Sequence, residues 1–320
     1  MPHPATEVSA DRLMEVTHAI RAELLARGEF LPSTWVEESA NELHVGTLPG
    51  WSFLEGGEFR ALGFFSSRGP RAYGHVHVSK GSPPIELARQ LALSLPTRLP
   101  DTVQRLDVGF TGLSSEEERG LGERLRSEPR SSALFRWALD RPLTPEDGRP
   151  LSLPAGVELR PIRAIPLDAL AQLDHRAFQG SPDQSLVADS PEEDRRVLAE
   201  LKGGVLGRFL DEASTMVVTN EGALIAGLLT GEQTPHIATF LDLMVDPAER
   251  KKGYATFLLR WGFRALTALG YERVRLWVTE SNLPARRLYD RLGFSEWISA
   301  LIYRWDRDHA VGAPQPHVDR

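Results

Sequence analysis

The chain has 320 residues, which predicts two domains because a domain usually takes roughly 150 residues. Its net charge of −7 argues against a general affinity for nucleic acid or for an anionic membrane surface. The absence of cysteine excludes disulfides, thiolate nucleophiles and cysteine-based metal sites, and it fits a cytoplasmic protein.

Targeting and metal signals are also missing from the sequence. The opening residues, MPHPATEVSADRLMEV, lack a basic segment followed by an apolar run, so no signal peptide is predicted. No apolar run approaches the roughly 20 residues of a membrane-spanning helix, so no membrane partner is predicted. The nine histidines show no ligand spacing, so no metal is predicted.

The first half of the chain mixes helical and extended patterns. Ser9 is placed to cap a first helix, which Gly28 ends. Helices are also predicted at 85–95 and at 114–126, where Ser114 and Glu117 have capping-box spacing. Alternating, β-branched and aromatic residues predict strands at 42–47, 51–54, 60–65, 72–78, 103–110 and 133–139.

Residues 141–156, RPLTPEDGRPLSLPAG, are rich in proline, glycine and charge and have few side chains to bury. This composition predicts an interdomain linker. The predicted organisation is therefore a first domain at 1–140, the linker at 141–156, a second domain at 157–306 and a C-terminal tail at 307–320.

The second half again alternates strands and helices. Strands are predicted at 157–162, 215–220, 223–232, 237–245, 273–279 and 300–305. Helices are predicted at 165–178, within 191–211, and at 253–269 and 283–292. Both halves end on the order strand–helix–strand–helix–strand, which predicts two similar units; an unrelated α+β first domain is the alternative.

Residues 243–259, LMVDPAERKKGYATFLL, join an apolar strand to an amphipathic helix through an Arg-x-x-Gly-x-Ala turn. Such a turn directs backbone N–H groups and the positive end of a helix at one spot, which is how proteins hold a pyrophosphate. ESN at 280–282 and LYDRLGF at 288–294 follow. Together these residues resemble the GNAT superfamily of acyl-CoA-dependent N-acyltransferases.

The resemblance implies a fold and a cosubstrate. The fold class is α/β, of the α+β type, with two GNAT-like domains, each a central mixed, mostly antiparallel sheet with flanking helices. The implied cosubstrate is acetyl-CoA, whose acyl carbonyl is held by backbone N–H groups near Met244 and Val245. The residues implied to contact the rest of the cofactor are Arg250, Lys251, Lys252, Gly253, Tyr254, Ala255, Thr256 and Asn282.

Two side chains carry the implied chemistry. Tyr289 stands where the family protonates the departing thiolate, and a phenol with a pKa of about 10 is protonated at neutral pH. Packing of Tyr289 on Phe294 is the alternative. Asp242 lies on the motif strand, where the family often has an acidic residue, and strand alternation places it on one face with Phe240 and Met244.

The general base is left open by the sequence. Asp242 is the candidate, and a purely structural hydrogen-bonding role is its alternative. Glu232, His236 and Glu280 lie at neighbouring strand ends, and many relatives in the family take the proton through water. His175 lies in the segment that builds the acceptor site in the family, and it either contacts substrate or is an ordinary surface residue.

The first half lacks the cofactor turn. At the corresponding place residues 78–84 read VSKGSPP, and the two prolines remove N–H groups that a phosphate would need. No residue there matches Asn282 or Tyr289. We therefore expect a degenerate first domain and one working site in the second.

The expected function is N-acetyl transfer from acetyl-CoA to a primary amine by direct attack, since no cysteine is present to carry a covalent intermediate. A small-molecule amine is the expected partner. A non-catalytic acyl-CoA-binding sensor and a structural α/β protein are the alternatives. The acceptor's identity, the acyl length and the oligomeric state have no signal in the sequence.

Overall fold

The computed structural model describes residues 2–27, 29, 34–56, 58–79, 83–149, 152–184, 190–204 and 207–308. Contacts divide the chain into two compact units. Unit 1 comprises Met1–Arg27, Leu31–Arg136 and Ser299–Arg320, and unit 2 comprises Gly28–Phe30 and Trp137–Ile298.

The described helices and strands follow one another along the chain. The helices are α1 (Ala10–Ala26), α2 (Trp35–Val45), α3 (Pro84–Ser94), α4 (Ser115–Arg126), α5 (Leu167–Phe178), α6 (Pro191–Lys202), α7 (Tyr254–Ala268) and α8 (Leu283–Arg291). The strands are β1 (His3–Pro4), β2 (Gly50–Glu55), β3 (Glu58–Arg68), β4 (Arg71–Val78), β5 (Arg105–Thr111), β6 (Ser131–Pro142), β7 (Val157–Pro161), β8 (Thr215–Thr219), β9 (Leu224–Thr234), β10 (Ile237–Val245), β11 (Arg273–Thr279) and β12 (Ser295–Asp306). None of the described helices combines the length and the apolar character that crossing a bilayer requires.

Side-chain caps start two helices of unit 1 where the sequence predicts them. Ser9 accepts a hydrogen bond from Arg12 N–H at 3.3 Å at the start of α1. Ser114 and Glu117 form a capping box at the start of α4. The predicted end of α1 at Gly28 falls outside the described residues, and α1 has Arg27 as its C-cap.

The strand predicted at residues 42–47 is wrong, because this segment completes helix α2. The buried residues Val36, Ala40 and Leu43 recur at helical spacing, which begins upstream of the segment that looks extended. Gly46, with a φ of 83°, then ends the helix in the left-handed conformation.

The sheet of unit 1 has the order β1-β2-β3-β4-β5-β12. The β4–β5 pair is parallel, and the other pairs are antiparallel. α1 and α2 pack with β3 in one apolar cluster, and α3 and α4 pack with β4, β5 and β12 in another. Unit 1 therefore has a mixed, mostly antiparallel sheet with flanking helices, as predicted.

The sheet of unit 2 has the order β7-β8-β9-β10-β11-β6. Its first strands are antiparallel, and β10 and β11 are parallel. One apolar cluster joins the sheet to α5 and α6, and a second cluster joins it to α7 and α8. The helices thus cover both faces of the sheet, and the fold class predicted from the sequence is confirmed.

Two strands contribute residues to both units. β6 belongs to unit 2 from Trp137 onward, and β12 belongs to unit 1 from Ser299 onward. β6 extends as far as Pro142, into the segment predicted as a linker, and Leu143 N–H then donates to Glu272 O at 2.8 Å. The domain limits of the sequence analysis stay a prediction.

A buried ion pair connects the end of α1 to α4 within unit 1. Arg27 Nη1 donates to Glu118 Oε1 at 2.8 Å, and Arg27 Nη2 donates to Glu23 Oε1 at 2.6 Å. The Arg27 and Glu118 side chains are only 7% and 2% exposed. Glu118 Oε2 also accepts from Leu301 N–H at 3.2 Å. Removing the carboxylate would leave a buried guanidinium with one partner fewer.

We predict that Glu118→Ala lowers the free energy of unfolding by about 3–5 kcal/mol, because breaking a buried pair leaves an uncompensated charge. Glu116→Ala is the matched control, since Glu116 is exposed in the same helix and its loss should cost about 0.5 kcal/mol or less. Urea unfolding of both variants measures the difference. Equal losses would contradict a stabilising role for the pair.

Candidate active site

The central feature of unit 2 is the parting of β10 from β11. These parallel strands pair only from Ile237↔Arg273 to Thr239↔Arg275, although β10 continues to Val245 and β11 to Thr279. The other edge of β10 stays paired with β9 as far as Val245↔Ala226. The strands therefore open a cleft whose walls carry backbone groups without a strand partner, a place for an extended ligand chain.

A β-bulge at Leu241 determines which side chains of β10 point to each face of the sheet. The register with β9 shifts between Phe240 and Asp242. Phe240 therefore packs towards α7, with its ring 5.8 Å from that of Phe263, whereas Met244 belongs to the cluster of α5 and α6. The predicted common face for Phe240, Asp242 and Met244 is wrong, because the extra residue reverses the alternation.

The direction of the backbone N–H groups follows from the β9–β10 ladder. Asp246 N–H donates to Ile225 O at 2.9 Å, on the β9 side. Since successive residues of a strand point to opposite edges, the N–H of Met244 lies on the β9 side and that of Val245 on the open side. Of the two residues expected to hold an acyl carbonyl, Val245 has its donor in the cleft.

The turn after β10 leads into the uncapped start of α7. Lys251 and Gly253 have positive φ values of 65° and 90°. The first intrahelical bond runs from Phe257 N–H to Gly253 O at 3.0 Å, and no side chain caps the helix. The N–H groups of Tyr254 and Ala255 in the first turn therefore have no intrahelical acceptor and are available to a phosphate.

Two charged side chains of this turn, those of Arg250 and Lys252, have protein partners. Arg250 Nη2 donates to Ala177 O, at the end of α5, at 2.5 Å. Lys252 Nζ lies 2.9 Å from Glu249 Oε2. Arg250 thus ties the turn to α5, and the anion-binding capacity of the turn comes mainly from the backbone and the helix end.

Asn282 lies at the start of α8, held by a carboxylate that sequence reasoning missed. Its Oδ1 accepts from Ala285 N–H at 3.2 Å, and its Nδ2 donates to Asp183 Oδ2 at 2.5 Å. Asp183 Oδ1 also accepts from Thr279 N–H, at the end of β11, at 3.1 Å. Asp183 lies beyond α5 in an aperiodic stretch, which has no sequence signal for this contact.

Tyr289 is buried on α8 beside the cleft. Its ring meets that of Phe294 edge-on, with the centroids 5.7 Å apart. Burial raises the pKa of Tyr289 above its ordinary value, and the charges of Asp183 and Asp242 raise it further. The phenol therefore keeps its proton at neutral pH, so both the packing role and the proton-donor role fit this position.

Asp242 and Asp174 of α5 each have a buried carboxyl oxygen, Oδ1, that accepts no hydrogen bond from the described residues. Asp174 is only 3% exposed. Burial raises the pKa of both groups, and the nearby charge of Asp194 acts in the same direction. His175 Nδ1 lies 3.1 Å from Asp194 Oδ2, so the candidate acceptor-site histidine is bound to this cluster.

The corresponding strands of unit 1 do not part. β4 and β5 pair without interruption from Arg71↔Arg105 to His77↔Thr111. Just beyond, a Cβ on Gly112 would lie 1.9 Å from Val78 O, so the backbones also approach closely after the last pair. α3 begins at Pro84, which has no N–H. Unit 1 thus has no counterpart of the unit 2 cleft between these strands.

The fold agrees with comparisons to known proteins. Residues 167–294 match the model of the Acetyltransferase (GNAT) family. The C-terminal half of the chain therefore carries a GNAT acetyltransferase domain. A GCN5-related N-acetyltransferase from Sphaerobacter thermophilus has a TM-score of 0.61 at 18% identity, with 93% of each chain covered. A tandem GNAT protein from the clavulanic acid biosynthesis pathway has a TM-score of 0.55 at 15% identity, covering 97% and 98%. These two structures show the fold.

Relatives that are similar in sequence have a more specific description than the family does. Mycothiol acetyltransferase of Thermobispora bispora is 32% identical over 176 residues, which cover 52% of this chain and 56% of the relative. Mycothiol acetyltransferase of Salinispora arenicola is 32% identical over 175 residues, covering 52% and 54%. The chain spans about half the length of the curated relatives it matches.

The raised pKa values of the Asp174–Asp242 pair predict a pH-dependent stability. The folded state binds protons that the unfolded carboxyls, with pKa about 4, release. The pair therefore makes the free energy of unfolding fall as pH rises from about 4 through the raised pKa values.

We predict that Asp174→Asn reduces this fall, by on the order of 1–3 kcal/mol between pH 5 and 8. Asp168→Asn, at an exposed position of the same helix, should leave the slope of the wild type unchanged. Urea unfolding across this pH range measures both slopes. A variant slope equal to that of the wild type would contradict raised pKa values in the pair.

Proposed function

We propose that the chain is an acetyl-CoA-dependent N-acetyltransferase with its site in unit 2. The observation that supports this most strongly is the parting of β10 from β11 directly before the Gly253 turn. The cleft accommodates an extended thioester arm, and the uncapped start of α7 accommodates a pyrophosphate. These features meet the needs of both ends of acetyl-CoA within one continuous stretch of chain.

Backbone donors would orient the cosubstrate. The Val245 N–H faces the cleft and would donate to the acyl oxygen, where it also stabilises the negative charge that develops during attack. The first-turn N–H groups of α7 would hold the pyrophosphate. Asn282 would hold the start of α8 in place beside the cleft. Its Oδ1 caps the helix, and its Nδ2 donates to Asp183.

Side chains would handle the protons. Asp242 would take a proton from the acceptor ammonium, so that a neutral amine attacks the acyl carbon directly. Tyr289 would donate its phenolic proton to the departing sulfur as the carbon–sulfur bond breaks. The new amide nitrogen then returns a proton to Tyr289, and the proton held by Asp242 is released to solvent, which balances the reaction.

The acceptor that fits this site is a small molecule with a primary amine. Besides burial, the charges of Asp194 and Asp183 raise the pKa of Asp242, and the charge of Asp183 also raises that of Tyr289. Negative charge at this place favours a cationic acceptor such as an ammonium. The mycothiol acetyltransferase relatives support a small-molecule acceptor.

We predict that Gly253→Asp weakens acetyl-CoA binding by at least about 30-fold, or about 2 kcal/mol, because a carboxylate would occupy the phosphate site. Gly270→Asp is the matched control: it lies beyond the other end of α7, has a φ of 85° and, like Gly253, has open space around its Cβ. The Gly270→Asp variant should bind acetyl-CoA as tightly as the wild type. Titration calorimetry measures both affinities, and similar values for the two variants would contradict a phosphate site at Gly253.

We predict that Tyr289→Phe lowers kcat by roughly 100-fold while acetyl-CoA affinity changes less than about 2-fold, because only the proton donor is lost. Tyr271→Phe is the control, since its hydroxyl bonds Arg208 and Glu232 away from the cleft. Release of free CoA is measured with whichever amine of a primary-amine panel is turned over. An unchanged kcat would remove Tyr289 from the mechanism.

A further inference from the structure

Resting on the proposed function, we propose that Arg141 is a positioning residue that holds Tyr289 in place for proton donation, acting through the end of α8. Arg141 lies near the end of β6, at the start of the segment whose composition predicts a linker. It therefore lies outside the cofactor motif, which is carried by β10, α7, β11 and α8. Its side chain is only 14% exposed, so its charge depends on partners within unit 2.

Asp147 fixes the plane of the Arg141 guanidinium. Nη1 and Nη2 donate to the two carboxylate oxygens of Asp147, at 2.9 and 2.8 Å. Asp147 Oδ2 also accepts from Thr144 N–H at 2.8 Å, which holds the carboxylate in a one-turn helix at Pro145–Gly148. A bidentate pair of this kind sets the orientation of both groups as well as the distance between them. The remaining donor, Nε, is thereby directed at α8.

A backbone route connects the guanidinium to Tyr289. Arg141 Nε donates to Leu292 O, just beyond the end of α8, at 2.7 Å. Leu292 N–H and Phe294 N–H in turn donate to Tyr289 O, at 3.0 and 3.1 Å. Gly293, with a φ of 85°, lets the chain turn between these two donors. Arg141 thus fixes the turn whose N–H groups hold the Tyr289 backbone.

A second route passes through packed rings. Arg141 Cζ lies 4.0 Å from the centroid of the Phe263 ring, which is close enough for a cation–π contact. The Phe263 ring lies 5.9 Å from that of Phe294, and the Phe294 ring meets Tyr289 edge-on at 5.7 Å. All three rings are buried. Because a close-packed interior leaves little free space, the position of the guanidinium restricts the position of the Tyr289 ring.

Replacing Arg141 by Lys tests these routes while it keeps the charge. A lysine ammonium is a compact point charge, so it can pair with Asp147 but cannot also bond Leu292 O and lie flat on Phe263. A residue that supplies only a charge would tolerate this change, whereas a positioning residue would not. Asp147→Asn is the second variant, for use if Arg141→Lys does not fold, because it loosens the guanidinium without replacing it.

The first measurement is spectroscopic. The chain has five tyrosines, so NMR of protein labelled with ¹³C in the tyrosine rings gives a small set of signals, and Tyr289→Phe identifies that of Tyr289. Arg141→Lys should move this signal and leave in place those of Tyr73 and Tyr303, which belong to unit 1. The matched control Arg291→Lys, at an exposed position of α8, should leave all five signals in place.

The second measurement is kinetic and uses the amine that is turned over. Arg141→Lys should lower kcat about 10-fold and leave acetyl-CoA affinity within about 2-fold of the wild-type value, because a misplaced donor slows the reaction without weakening binding. Combined with Tyr289→Phe, it should lower kcat by less than about 2-fold further, because both changes act on the same proton transfer. Arg291→Lys should keep the wild-type kcat.

Two results would overturn the inference alone: an unmoved Tyr289 signal in folded Arg141→Lys, or a further loss of about 10-fold in kcat when the change is combined with Tyr289→Phe. A wild-type protein that does not bind acetyl-CoA would instead overturn the proposed function, and the proton-donor role with it. The NMR signal needs neither cosubstrate nor acceptor, so it tests the hold of Arg141 on Tyr289 even where no amine of the panel is turned over.

Discussion

The parting of two parallel strands is the constraint on which the unit 2 site depends. β10 leaves β11 after Thr239↔Arg275, so the backbone of its last residues is unpaired on one edge, and a buried polar backbone needs a partner. An extended ligand with its own hydrogen-bonding groups can supply such partners. The bulge at Leu241, Asp242 and the turn through Gly253 all follow within the same stretch of chain.

The two units show the same strand–helix order with opposite outcomes. In unit 1, β4 and β5 pair through to His77↔Thr111, which satisfies their backbone groups within the sheet. The buried charges of Arg27 and Glu118 in that unit are paired with each other. In unit 2 the corresponding strands part, so the backbone groups at their ends are left without a strand partner on that edge.

Much of this fold is predictable from local patterns, and the rest is set by tertiary contacts. β10 and β11 have the bounds that the sequence predicts, because apolar β-rich runs there end at clear turn signals. The bulge at Leu241 has no such signal, since it depends on the partner strand. The effect of Asp242 on the pKa of Asp174 and the contact of Asp183 with Asn282 involve residues far apart in sequence. The sequence pattern also gives no signal that β6 and β12 each contribute residues to both units. The site roles themselves stay proposals.

The central claim is that this chain has one acetyl-CoA site, in unit 2. The most direct measurement is the stoichiometry of acetyl-CoA binding to the full-length protein by titration calorimetry. We expect one molecule per chain, because among the described residues β10 and β11 part, whereas β4 and β5 stay paired along their length. Two molecules per chain would contradict the closed state of unit 1, and no binding would contradict the acetyl-CoA site altogether.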